Sequence, residues 1–62
     1  MKTITLDLTS IDGNAFALLS AFKKQAKREG WTPEEIDSVI KEATAEDYDN
    51  LLKVLIRHTT HE

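Results

Sequence analysis

Sixty-two residues without a cysteine make one small domain (residues 1–62) with no disulfide, no thiolate metal site and no cysteine nucleophile to draw on. A chain this short buries only ~60% of the surface its unfolded form exposes, so its stability has to come from well-formed helices, a partner chain, or both. The net charge of −3 argues against a dedicated nucleic-acid binder, and it is unevenly spread: five cations against three acids give residues 1–30 a charge of +2, and three cations against eight acids give residues 31–62 a charge of −5.

Thr3-Ile4-Thr5-Leu6-Asp7-Leu8 alternates with period two and is rich in β-branched residues, which predicts a strand over 3–8. Ile4, Leu6 and Leu8 share one face of it; Thr3, Thr5, Asp7 and Thr9 share the other. Asp12-Gly13 then turns the chain, and Asn14 or Asp12 caps the helix that follows.

The first helix is predicted over about 15–29, with Ala15, Leu18, Leu19, Phe22 and Ala26 as its buried stripe. Gly30 ends it in the left-handed conformation, and Trp31 falls where a hydrophobic residue folds back onto the helix end. Thr32-Pro33-Glu34-Glu35 is a capping box that opens the second helix, 33–43, whose apolar face is Ile36, Val39, Ile40 and Ala43. Thr44 to Asp47 reads as a second such box, so the third helix is expected over about 45–58 with Tyr48, Leu51, Leu52, Leu55 and Ile56 on its core face. The tail from Thr59 to Glu62 is expected to fray. Phe16 and Val54 fall off the stripes, roughly 100° from the centres of their buried faces, and mark surface that the strand or another chain would cover.

The fold expected is therefore mainly α within the α+β class: a short N-terminal strand followed by a compact three-helix bundle. A solitary strand leaves its backbone groups unpaired. Pairing with the same strand of a second copy resolves this, with Ile4, Leu6 and Leu8 as the self-association residues of a homodimer. The competing arrangement lays the arm across its own helices.

Few constellations suggest chemistry. His58 and His61, with Glu62 beside them, have the spacing of a metal-ligand pair but stand at a helix end with no third ligand, so no metal site is expected. Asp47-Tyr48-Asp49-Asn50 opens like a calcium loop and then puts Leu51 at a ligand position, which leaves a capping aspartate and a solvated helix face. Asp12-Gly13-Asn14 is too poor in glycine to cradle phosphate, and no nucleophile, base and orienting acid are recognisable. The expectation is a non-enzyme with no cofactor. Lys23, Lys24, Lys27 and Arg28 project from the first helix opposite its buried stripe and are the candidate partner-binding residues, set against their ordinary reading as cations on a solvated helix face.

No stretch approaches the ~20 apolar residues that cross a bilayer, and Met1 to Leu8 is no hydrophobic leader, so a cytoplasmic protein without a membrane partner is expected.

Three resemblances follow from these residues. Strand-then-helix order resembles the ribbon-helix-helix repressors, which would imply a nucleic-acid-binding regulator, although their outward strand residues are usually basic or polar and the set here, Thr3, Thr5, Asp7 and Thr9, contains one acid with only Lys2 nearby. Gly30-Trp31-Thr32 and Tyr48 to Leu52 look a little like a ubiquitin-associated three-helix domain, which implies a compact bundle and no more. Ile11 to Phe16, Gly30-Trp31-Thr32 with Glu34-Glu35-Ile36, Asp47 to Leu52 and His58 resemble a group of small proteins of bacteria, phage and other mobile elements, for which no activity is established. That last resemblance implies a short protein that binds and blocks a host complex. The leading expectation is thus a small protein–protein interaction module with a protein partner. A ribbon-helix-helix-like regulator and a folded product with no discrete activity are its alternatives.

Overall fold

The computed structural model of the chain describes residues 2–60. Within them the order is β1 (Ile4–Thr5), a 3-10 turn (Leu8–Ser10), α1 (Ala15–Arg28), α2 (Pro33–Ala43), α3 (Tyr48–Arg57) and β2 (Thr59–Thr60). The expected bundle of three helices with a short N-terminal strand is what forms.

Each helix start has a side chain to satisfy its free N–H groups. Asn14 accepts from the Phe16 N–H, and Thr32 and Glu35 complete the reciprocal box at the head of α2. The end of α1 follows the Schellman pattern: Gly30 sits at φ 89°, its N–H donates to the Lys27 carbonyl, and the Trp31 N–H donates to the Ala26 carbonyl. Trp31 is thereby folded over the bundle, with its ring edge-on to Phe22 at 5.6 Å between centroids.

The head of α3 departs from expectation. Thr44 does not cap it; its N–H and hydroxyl both return to the Ile40 carbonyl and close α2. Asp47 is the cap, accepting from the Asn50 N–H, so α3 starts at Tyr48 and not near Ala45. The bond to the Ile40 carbonyl holds the Thr44 side chain on the end of α2, and aspartate is at least as good a cap.

The strand is also shorter than predicted, and it pairs within the chain. β1 lies parallel to β2, with Ile4 opposite Thr59 and Thr5 opposite Thr60. The Ile4 N–H donates to the His58 carbonyl and the Leu6 N–H to the Thr60 carbonyl, at 2.9 and 2.7 Å. On the other edge the Thr5 N–H donates to the Glu29 carboxylate, which the Gln25 amide also holds. Backbone that was expected to meet either a second copy or the chain's own helices is thus bonded to the residues after α3, and Thr59 and Thr60, expected in a fraying tail, form β2; His61 and Glu62, the rest of that tail, lie outside the described residues. Beyond Thr5 the alternation breaks because Asp7 accepts from both the N–H and the hydroxyl of Thr9, nucleating the 3-10 turn at Leu8.

The core runs through all three helices and the arm: Ile4, Leu18, Phe22, Ala26, Trp31, Ile36, Val39, Ala43, Leu51, Val54 and Leu55 are buried. Val54, expected off the stripe, is fully buried, whereas Ile56 is 61% and Tyr48 43% exposed. The buried residues of α3, Leu51, Val54 and Leu55, therefore centre roughly 75° from the face expected from Tyr48, Leu51, Leu52, Leu55 and Ile56, at 100° per residue. Ile4, carried by the strand pair, belongs to the same buried cluster as Val54.

Candidate functional site

Among the described residues the fully buried positions are all apolar, so any function has to be found on the surface. The basic residues of α1 are the first place to look. Lys23, Lys24, Lys27 and Arg28 are all exposed. Lys27 and Arg28 occupy the last turn, where cations favour the negative end of the helix dipole. The structure brings three of the four together: Lys23, Lys24 and Lys27, with Ser20, form one bank of a groove of about 570 Å³ between α1 and α2. Pro33, Ile36 and the rim of Trp31 floor it, and Asp37 stands on the opposite bank. Arg28 does not line the groove.

The lysines share their helix face with a residue the sequence analysis did not count as a site. Spacings of 4, 3 and 4 residues place Phe16, Ser20, Lys23 and Lys27 in one row along α1. Phe16 heads that row and is 81% exposed. Its signal in the sequence was its distance from the buried stripe.

Ile4, Leu6 and Leu8 have separate fates. Ile4 is buried in its own chain's core, and the other two are half-buried against that core. Leu6 and Leu8 instead line a trough of about 430 Å³ with Tyr48, Leu52 and Ile56 on α3. Tyr48 closes one end of it, its hydroxyl donating to the Gly13 carbonyl. The trough is apolar and holds no charged group other than Asp7.

His58 has a structural post. Its ring lies edge-on to Trp31 at 6.3 Å, and its Nδ1 is 2.9 Å from the Lys2 carbonyl, which can only accept, so Nδ1 carries the hydrogen. Lys2 in turn places its ammonium 5.4 Å from the centroid of the Trp31 ring and 2.8 Å from Glu35. That ammonium and the Thr32 N–H hold the Glu35 carboxyl below its ordinary value of 4.5. Glu29 is lowered as well, by Gln25 first and by the Thr5 N–H second. His61 and Glu62 lie outside the described residues. Within those residues no three histidine, aspartate or glutamate side chains are grouped to hold a metal ion, and no helix is long and apolar enough to cross a membrane.

The arrangement sets three ammonium donors beside apolar surface. No family model, curated protein or solved structure matches the chain.

Proposed function

We propose that the chain is a small non-enzymatic protein–protein interaction module that acts by occupying an acidic surface of a protein partner. The observation that supports this reading is the convergence of Lys23, Lys24 and Lys27 on one bank of the α1–α2 groove. Three ammonium groups within about one helical turn match a compact carboxylate cluster. They do not make the long basic track that a nucleic-acid backbone follows, and the chain's net charge of −3 argues against a dedicated nucleic-acid binder.

The test is a titration of the ¹⁵N-labelled protein with poly-L-glutamate and, separately, with a single-stranded oligonucleotide of equal charge. Poly-L-glutamate is expected to shift the amides around Lys23 to Lys27, and the K23Q/K24Q/K27Q variant is expected to lose the response. Tighter binding of the oligonucleotide would replace this reading with a nucleic-acid-binding regulator. A poly-L-glutamate response that survives the three substitutions would remove the groove from the proposal.

A further inference from the structure

The lysine groove is one end of a longer surface. Along α1, Phe16 precedes Lys23 by seven residues and Lys27 by eleven, which at 1.5 Å per residue is about 10 and 16 Å on the same face. We propose that this face receives a short amphipathic helix of the partner protein, with an apolar residue seated at Phe16 and a carboxylate cluster seated at Lys23, Lys24 and Lys27. The proposal rests on the interaction-module reading above and adds the chemistry of the partner segment.

Three observations carry it. A single exposed apolar side chain is ordinary, but Phe16 borders a hollow of about 310 Å³ lined by Leu19, Ala43, Tyr48 and Leu51, so an incoming side chain meets apolar surface on more than one side. The rim of that hollow is acidic, carrying Glu46 and Asp47. The face therefore changes sign along α1, with the carboxylates of Glu46 and Asp47 at the Phe16 end and, at the other, three ammonium groups against the single carboxylate of Asp37. A partner segment whose acids lie at the lysine end is attracted there, and one with acids at the Phe16 end is repelled; charge order sets the direction of docking. Finally, the backbone of β1 offers no template for an added strand, since Ile4 and Leu6 pair with β2 and its neighbours and the Thr5 N–H is taken by Glu29. A side-chain-mediated helix fits what remains. The acidic rim also repels a phosphate backbone running the length of the face.

The test uses three helix-prone peptides of ~16 residues in an alanine–glutamine background, long enough to hold marginal helicity. The first carries a leucine two turns from a cluster of three glutamates at helical spacing. In the second that leucine is serine, and in the third the glutamates are glutamine. Binding is read from amide shifts of the labelled full chain. The first peptide is expected to bind about tenfold more tightly than the second, the gain from burying one leucine. That advantage is expected to vanish in Phe16→Ser, whose unchanged spectrum elsewhere reports the fold, and the third peptide is expected to lose the shifts at the lysines. Equal affinity for the leucine and serine peptides, with the poly-L-glutamate response intact, would overturn this inference and leave the module reading standing. Absence of any response to the peptides and to poly-L-glutamate would overturn both. Displacement of the first peptide by the oligonucleotide at equal charge would reassign the face to nucleic acid.

Discussion

The two ends of α1 carry an aromatic residue each, and the chain treats them oppositely. Trp31, just past the C-terminal end, is only 6% exposed; Phe16, in the first turn, is 81% exposed. Hydrophobicity does not separate them. Supply of covering chain does. Around Trp31 converge Phe22 from α1, His58 from the end of α3, and Lys2 from the N-terminal arm. Beside Phe16 the loop between α2 and α3 and the first turn of α3 border an open hollow and leave the ring uncovered. In a domain of this size there is enough chain to wrap one end, and the other is left as surface.

If that contrast is right, the largest effect of truncation belongs to the wrapped end. Phe22→Ala is expected to cost about 3–5 kcal/mol, the range for a buried phenylalanine. That is as much as a small domain has in total, so a substantial unfolded population is expected at room temperature. Urea denaturation followed by Trp31 fluorescence checks it, and a loss below about 1 kcal/mol would mean that the wrapped end is not packed as described.

The arm comes next. Ile4 is the residue through which the strand pair enters the core, and Ile4→Ala is expected to cost about 2–3 kcal/mol, the lower part of the range for this truncation. Amide exchange sharpens the point: the Ile4 and Leu6 N–H groups, bonded to His58 and Thr60, are expected to be protected in the parent and to exchange freely in the variant. Free exchange of both in the parent would place the arm off the bundle.

The first two helices and their caps were legible from local chemistry because local chemistry determines them. Asn14, the Thr32–Glu35 box, and Gly30 with Trp31 after it act within four or five residues of chain, and each is found in its expected place. Apart from two local competitions, Thr44 with Asp47 for the cap of α3 and the Asp7–Thr9 bonds that end the strand, what was not legible depends on residues far apart. The partner of β1 is a pair of threonines some 55 positions away, whose short apolar-poor run carries no strand pattern. Nor does a stripe of leucines on an isolated helix reveal that Val54 is buried in the cluster that Ile4 joins while Ile56 is exposed. The lysines of the candidate site were visible as a cluster, but their division into three that line a groove and Arg28, which does not, needed α2 alongside.

A smaller effect separates two readings of the α2–α3 junction. Asp47→Ala removes the cap of α3 and is expected to cost about 1 kcal/mol. Thr44→Ala removes only a hydroxyl bonded back to Ile40 and is expected to cost less than half of that, since an exposed bond of this kind adds little to a helix end. Thermal unfolding of the two variants ranks them, and the reverse order would restore Thr44 as the cap.

Acid provides a gentler probe of the ties around the wrapped end. Both Glu29 and Glu35 are lowered from 4.5 in the folded chain, the first by Gln25 and Thr5 and the second by Lys2 and Thr32. A lowered folded value means that the unfolded chain takes up protons first as pH falls. Their contribution is therefore fully present above 4.5 and is lost as pH drops below it through the folded values. Exposure of both groups keeps it small and salt-sensitive. Glu29→Gln is expected to flatten part of the fall in Tm between pH 5 and pH 3; an unchanged slope would mean that the carboxylate does not hold the Thr5 edge.

Phe16→Ala is the smallest expected change in stability and the one that tests the contrast most directly. A side chain that is 81% exposed loses almost no contact on truncation, so the variant is expected to stay within about 0.5 kcal/mol of the parent in urea. It keeps Asn14 as the cap, because the bond there is made by the backbone N–H of residue 16 and not by its ring. An apolar ring that contributes nothing to the fold has no reason in the fold to be apolar, and alanine is the better helix former at that position. Unchanged stability would therefore place the reason for an aromatic residue outside the chain, in whatever meets this face of α1. A loss above about 1 kcal/mol would instead show that Phe16 folds down into the adjacent hollow, and the two ends of the helix would then differ in degree only.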